Sequence, residues 1–344
     1  MGPGVPRTRA HAMGTHPHLS TIERLTMTTT ATAPELPDTQ APHPPRARRR
    51  RPKLPYVLLI PAIATLLIGL GYPVTWQIIN SFKEYGLAQQ FGQPAEFIGL
   101  QNYLNLFTDA QFWTIALRSV VFMAATAALT MVIGIAFALL MRAIPTWSRI
   151  VLQVSMLLAW AMPIVAQMTV ANWLIDDRNG VVNYLLTLIP GVDFIGHNWL
   201  IEPLSFFGVA LTIITWASVP FVAFSVYAGL TQVSEEVLEA AQLDGAGRFQ
   251  TLRMVIMPII RPVLVILLLL QLIWDLRVFA QIQLLQDFGA AGERYDLLGT
   301  YIYGLGIGQS QFGAASAAAM VVLALTIGVS WGYVRRLLKE DKES

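Results

Sequence analysis

Apolar residues fall in six long runs along the chain, separated by shorter polar connectors. A helix rises 1.5 Å per residue and needs roughly 20 apolar residues to cross the hydrocarbon core of a bilayer. The runs therefore predict membrane-spanning helices at 55–79, 114–141, 149–174, 205–229, 260–283 and 313–337. Pro61 and Pro73 lie in the first run and Pro163 in the third. Proline is tolerated in a lipid helix where neighbouring helices satisfy the freed carbonyl, so these positions predict kinks inside a bundle. The sixth run carries Gly313, Ala314, Ala315, Ser316, Ala317, Ala318 and Ala319, a small-residue face suited to close helix packing. The connectors at 80–113, 175–204 and 284–312 are long enough to cap the bundle but too short for a soluble domain. No inverted repeat of the kind found in many secondary transporters is visible. The expected class is all-α, a polytopic helix bundle of about six spans.

Composition agrees with that pattern. Of the 344 residues, 55% are hydrophobic and only 13% charged, against about 25% charged in soluble domains. There is no cysteine, which excludes disulfides, thiolate metal sites and a cysteine nucleophile.

Residues 1–53 differ in kind. The stretch 27–45 is rich in Thr, Ala and Pro and has too few apolar side chains to offset the entropy of ordering, so a disordered tail is expected. Met27 opens a plausible start of its own, and residues 1–26 show no pattern. Arg46, Arg48, Arg49, Arg50, Arg51 and Lys53 then abut the first span. Arginine runs can mark nucleic-acid binding, but directly before a span they read as a topology signal and a contact for anionic membrane lipid. No nucleic-acid partner is expected. The following apolar run is longer than a signal-peptide core and lacks a clean small-residue cleavage site, so an uncleaved first span is expected.

Charge placement predicts orientation. With the N-terminus inside, the inner segments hold the tail arginines, Arg142, Arg149, Arg248, Arg253, Arg335, Arg336, Lys339 and Lys342. The outer segments hold little beyond Lys83, Arg178 and Arg294. This asymmetry predicts both termini in the cytoplasm of a multi-pass plasma-membrane protein. It also places the connector 231–258 on the cytoplasmic side.

That connector is the one polar island with an organised pattern. Ser234 can cap a helix, and Glu235 and Glu236 sit in its first turn, where the helix dipole favours acids. Val237, Leu238, Ala241 and Leu243 give an apolar side, and Gly245 with Gly247 ends the helix. A second helical stretch, 249–257, leads through Pro258 into the next span. Two readings stay open on the residues alone: a helix docking into another protein's groove, or one resting on lipid headgroups.

The spacing of Glu239, Ala240, Ala241, Gly245, Val255, Met257 and Pro258 resembles the signature of ATP-binding-cassette importer permeases. With Leu243, Asp244, Gly245 and Ala246 inside it, the segment is similar to the carbohydrate-importer branch of that family. Phe97 to Tyr103, Phe112, Trp113 and the run 180–185 resemble outer segments of the same proteins. The likeness covers residues 54–338. Ser234 stands where the family often has proline, and Val255 and Met257 replace the commoner Ile and Leu.

The resemblance implies a type I importer permease fold, with a disordered tail at 1–53, a permease domain at 54–338 and a short C-terminal tail at 339–344. It implies that Glu239 pairs with a basic group on a cytoplasmic ATPase, that Ala240 and Ala241 fit its cleft, and that Asp244, Gly245 and Pro258 complete the coupling element. The implied partners are a second permease subunit, a dimer of ATPase subunits, an extracytoplasmic solute-binding protein and a sugar.

Polar residues within spans are costly and mark function. On one helix, Gln271, Trp274, Asp275, Val278 and Gln281 fall within about 120° of one another. An amide, an aromatic face and a carboxylate together suit a polyhydroxylated ligand. Alternatively, Asp275 and Arg277 are satisfied by other helices or by a partner subunit. Trp160, Gln167, Asn172 and Trp216 are weaker candidates.

Enzymatic readings find no support. There is no Gly-x4-Gly-Lys phosphate loop, so ATP is expected on partner subunits and no cofactor in this chain. Histidines at 11, 16, 18, 43 and 197 have no metal-ligand spacing. No Ser/His/Asp arrangement is present.

The rival classes are a secondary transporter or channel, which calls for titratable groups on several spans, and a membrane scaffold without transport. Within importers, glycerol phosphate, a polyol or an amino acid are alternatives to sugar. A lean towards di- or oligosaccharides such as chitobiose or cellobiose comes from the resemblance of 274–279 and 298–301 to segments of such permeases.

Overall fold

The computed structural model describes residues 54–290 and 292–343. The N-terminal tail, with Met27 and the basic cluster, lies outside the described residues. Among the described residues, five helices are long and apolar enough to cross a membrane, or six if one bent pair is counted as a single span.

The first crossing is built from α1 (Leu54–Leu66) and α2 (Tyr72–Ser81), joined by a π turn at Leu67–Gly71. The turn stands just before Pro73. A π turn inserts one residue into the helix and moves aside the carbonyl that the pyrrolidine ring would strike. The same arrangement recurs at Leu252–Ile256 before Pro258. A two-residue ribbon, β1 (Lys83–Glu84) with β2 (Glu96–Phe97), follows with the short α3 (Leu87–Gln90) inside it. Then come α4 (Gln101–Thr108) and the long α5 (Ala110–Ala143). Asp109 caps α5, its carboxylate accepting from the Gln111 amide at 2.9 Å.

The third predicted span, 149–174, is not a single helix. It is two, α6 (Thr146–Ala161) and α7 (Ile164–Leu174), meeting at 102°. Pro163 lacks an N–H and forces Met162 out of the helical region, to φ −68° and ψ 129°. The Gln167 side-chain amide donates to the freed Met162 carbonyl at 2.8 Å. Despite the bend, the pair travels the length of the bundle. Met156 of α6 packs with Met141, Val219 and Ala223, whereas Met168 of α7 packs in the cluster of Phe206 and Ala210.

After α8 (Val181–Thr187) comes α9 (Pro203–Leu230), which pairs with α5 along the centre of the bundle. Lipid tails are as apolar as leucine, so helix association relies on close packing. Thr130, Gly134 and Ala138 form a buried small-residue stripe on α5. A Cβ on Gly134 would come within 2.6 Å of Val222 Cγ1 on α9. On the sixth span, Ala315, Ser316, Ala317 and Ala318 are buried as the small-residue pattern predicts.

The remaining elements are α10 (Glu235–Leu243), α11 (Arg248–Thr251), α12 (Met257–Leu276), α13 (Ala280–Asp287), α14 (Leu298–Tyr303) and α15 (Phe312–Glu343). α11 runs through its π turn into α12 without a break. The fifth predicted span, 260–283, is interrupted, because the helix stops at Leu276 and restarts at Ala280. The connectors 175–202 and 288–297 pack onto the end of the bundle opposite α10. There Leu200, Tyr295 and Leu297 join Phe206, Val278 and Ile282 in one core.

Candidate functional site

The connector 231–258 folds as its sequence predicts, with sharper detail. Ser234 occupies the N-cap of α10, but its hydroxyl makes no capping hydrogen bond. Glu235 and Glu236 fill the first turn, and Glu235 lies 3.4 Å from the Arg142 guanidinium at the end of α5. The C-terminus closes with both bonds of a Schellman motif. The Gly245 amide donates to Gln242 at 3.0 Å and the Ala246 amide to Ala241 at 3.0 Å. Gly245 sits at φ +80°, a left-handed conformation that side chains with a Cβ disfavour.

The two faces of α10 divide cleanly. Leu238 and Ala241 are buried, and Leu238 joins Val226, Leu230, Val233, Ile256 and Ile260 in the core below. Glu239, Ala240, Gln242 and Asp244 are exposed. So are three large apolar side chains: Leu243 at 89%, Phe249 at 70% and Met254 at 72%. The paired alanines thus part company, Ala240 facing out and Ala241 in. Pro258 is exposed at the start of α12.

On α12, Gln271 and Asp275 come together in the interior, 1% and 4% exposed. The Gln271 Nε2 donates to both Asp275 carboxylate oxygens at 3.2 Å. The Gln271 Oε1 has no partner. The wider grouping predicted on one helix face does not form. Trp274 is half exposed and packs on Phe221 with ring centroids 5.1 Å apart. Val278 is in the bundle core, and Gln281 belongs to α13, beyond the break. Arg277 is exposed, and among the described residues no ion pair joins it to Asp275. Gln167 serves the α6–α7 bend, as above, while Trp160 and Trp216 are half exposed.

Residues 130–339 match the family of binding-protein-dependent transport system inner membrane components. The chain belongs to that family. Among the relatives of this membrane component is the diacetylchitobiose uptake system permease protein DasB of Streptomyces coelicolor. It is 35% identical over 289 residues, which span 84% of this chain and 88% of the relative. The trehalose/maltose transport system permease protein MalF of Thermococcus litoralis is 28% identical over 292 residues, 84% and 95% of the two chains. The crystal structure of a bacterial alginate ABC transporter in complex with alginate pentasaccharide-bound periplasmic protein contains a similar chain. Its TM-score is 0.69 at 25% identity, covering 80% of this chain and 91% of that one. The fold is the type I importer permease fold expected from the sequence.

One cation of this permease within the second predicted span, Arg118 on α5, escaped the sequence reading, although an ionisable residue inside a span is itself a signal. Its guanidinium donates to the carbonyls of Glu293 at 3.2 Å and Asp296 at 3.1 Å and lies over the Phe207 ring. It ties the connector 288–297 to α5, while the Tyr295 hydroxyl, donating to the Ile201 carbonyl, joins that connector to 175–202.

Proposed function

We propose that this chain is one of two membrane subunits of an ATP-driven importer for di- or oligosaccharides. Its α10 is the coupling helix that docks on a cytoplasmic ATPase dimer. The chain itself performs no catalysis and binds no cofactor; ATP resides on the partner subunits. A solute-binding protein delivers sugar at the opposite face, and a second permease completes the path. Both termini lie in the cytoplasm, as the basic residues imply.

The observation that carries this reading is the exposed face of α10. Glu239, Ala240 and Leu243 project from a helix fixed from beneath by Leu238, with Phe249 and Met254 alongside. Three large apolar side chains at one end of a bundle, with Glu239 and Asp244 beside Leu243 and Arg248 and Arg253 beside Phe249 and Met254, form a surface that another protein covers. An interfacial helix lying in lipid headgroups would instead carry a basic polar face, whereas Glu235, Glu236 and Glu239 are acidic. Asp244 and Gly245 fix where the helix ends, and Pro258 where the span begins. Names of relatives support sugar as the cargo, with diacetylchitobiose the first probe and trehalose and maltose the next. Gln271, Trp274 and Asp275 are the proposed substrate-path contacts on α12.

Glu239→Lys tests the reading in the assembled complex in proteoliposomes. The variant should insert and retain the second permease. Its substrate-stimulated ATPase should fall by about tenfold or more, equivalent to roughly 1.4 kcal/mol of lost coupling. Unchanged stimulation would refute the assignment of α10.

A further inference from the structure

A groove of about 580 Å³ opens between α2, α14 and the start of α15, at the end of the bundle opposite α10. Two of its lining side chains, Asn80 at 4% exposure and Ser316 at 8%, belong to residues that are otherwise largely covered. Neither side chain makes a hydrogen bond to a described residue. Ser316 in this respect differs from some helical serines of this protein. The Ser119, Ser155 and Ser330 hydroxyls each donate to the carbonyl four residues back. Both residues line the groove, so their amide and hydroxyl are free to pair with a group that enters it from outside.

The rest of the lining says what that is. Tyr72 and Trp76 stack with centroids 6.3 Å apart and planes 22° from parallel, and Tyr85 stands edge-on to Trp76 at 83°. The two stacked rings offer a flat platform and the third a wall. Gln77 adds a further amide, and no charged side chain lines the groove. A phosphate headgroup would find no counter-charge here. A neutral pyranose fits both features, with its C–H face on an aromatic ring and its hydroxyl rim on the amides. Gln271 and Asp275 are not part of this lining.

We infer that this groove is a saccharide-binding subsite separate from the polar pair on α12, which a neutral sugar unit occupies at the mouth of the path. The inference rests on the reading of the chain as a carbohydrate permease. Its test uses the full importer in proteoliposomes with labelled diacetylchitobiose, trehalose and maltose as probes. Asn80→Leu and Trp76→Ala should each raise the half-saturating concentration of the loaded binding protein for uptake by roughly tenfold. The second permease and the ATPase should co-purify as in wild type, and Trp76→Tyr should retain most uptake. Uptake within twofold of wild type in both disruptive variants overturns the subsite. So does loss of the second permease from the purified complex, which would make the groove a protein seat. A wild-type complex that carries none of the three probes, though assembled and ATPase-active, instead overturns the carbohydrate reading on which the subsite stands.

Discussion

Gln271 holds both carboxylate oxygens of Asp275 from one turn earlier on the same helix, and these two buried side chains are joined only to each other. No cation neutralises the carboxylate among the described residues. Removing Gln271 strands a buried acid, at a cost of about 1–3 kcal/mol. Gln271→Leu should therefore lower the thermal midpoint of the purified complex, and Gln271→Leu with Asp275→Leu should recover much of it. A double-mutant cycle on unfolding, with a coupling of about 1 kcal/mol or more, checks the pair.

Leu238 and Leu243 sit on opposite faces of one nine-residue helix. Leu238→Asp buries a charge in the core of Val226, Leu230 and Ile260 and should reduce the yield of folded chain. Leu243→Asp should leave folding intact and strip the ATPase subunit from the purified complex. Quantifying both subunits by gel after detergent extraction separates the two effects. Equal loss of folded protein in both variants would argue against a docking face.

The left-handed Gly245 closes α10 with two backbone bonds. Gly245→Val would place a β-branched residue at φ +80°, costing roughly 1–2 kcal/mol locally. The expected result is faster amide exchange at Ala246 and weaker ATPase stimulation, with insertion unchanged. Hydrogen exchange followed by mass spectrometry reads the first and phosphate release the second.

Gly134 lets α5 approach α9 closely enough that an added Cβ would overlap Val222. Gly134→Val should destabilise the bundle by about 1–3 kcal/mol. Val222→Ala in the same chain should restore part of the loss. Thermal aggregation of the single and double variants in detergent measures the exchange.

Five of the six spans were legible because length and continuous apolarity determine them. The predicted 114–141 and 205–229 are the cores of Ala110–Ala143 and Pro203–Leu230. The helix α10 was legible for another reason: acids at its start and Gly245 at its end are local signals. The 102° turn at Pro163 was not readable in size, because proline announces a lost donor but not the angle that neighbours impose. Nor was the stop at Leu276. No glycine or proline lies between Gln271 and Gln283. The break is enforced from outside, where the Val278 carbonyl presses against Gly299 and Val278 itself enters the core with Phe206 and Ile282. The aromatic groove was hidden for the same reason, since Trp76 and Ser316 meet only after the whole chain has folded.

From Arg248 to Leu276 the backbone is helical without interruption, a rod of roughly 40 Å at 1.5 Å per residue. Phe249 at one tip is exposed and Asp275 near the other is buried. Under the proposed docking, a stroke delivered at the first would already be a displacement at the second, and no relay of side chains would have to carry it. The rod's softer places are the π turn at Leu252–Ile256 and Pro262, both towards the Phe249 end. The rod would thus be steered at its base and stay stiff through the membrane, as a tiller moves a rudder.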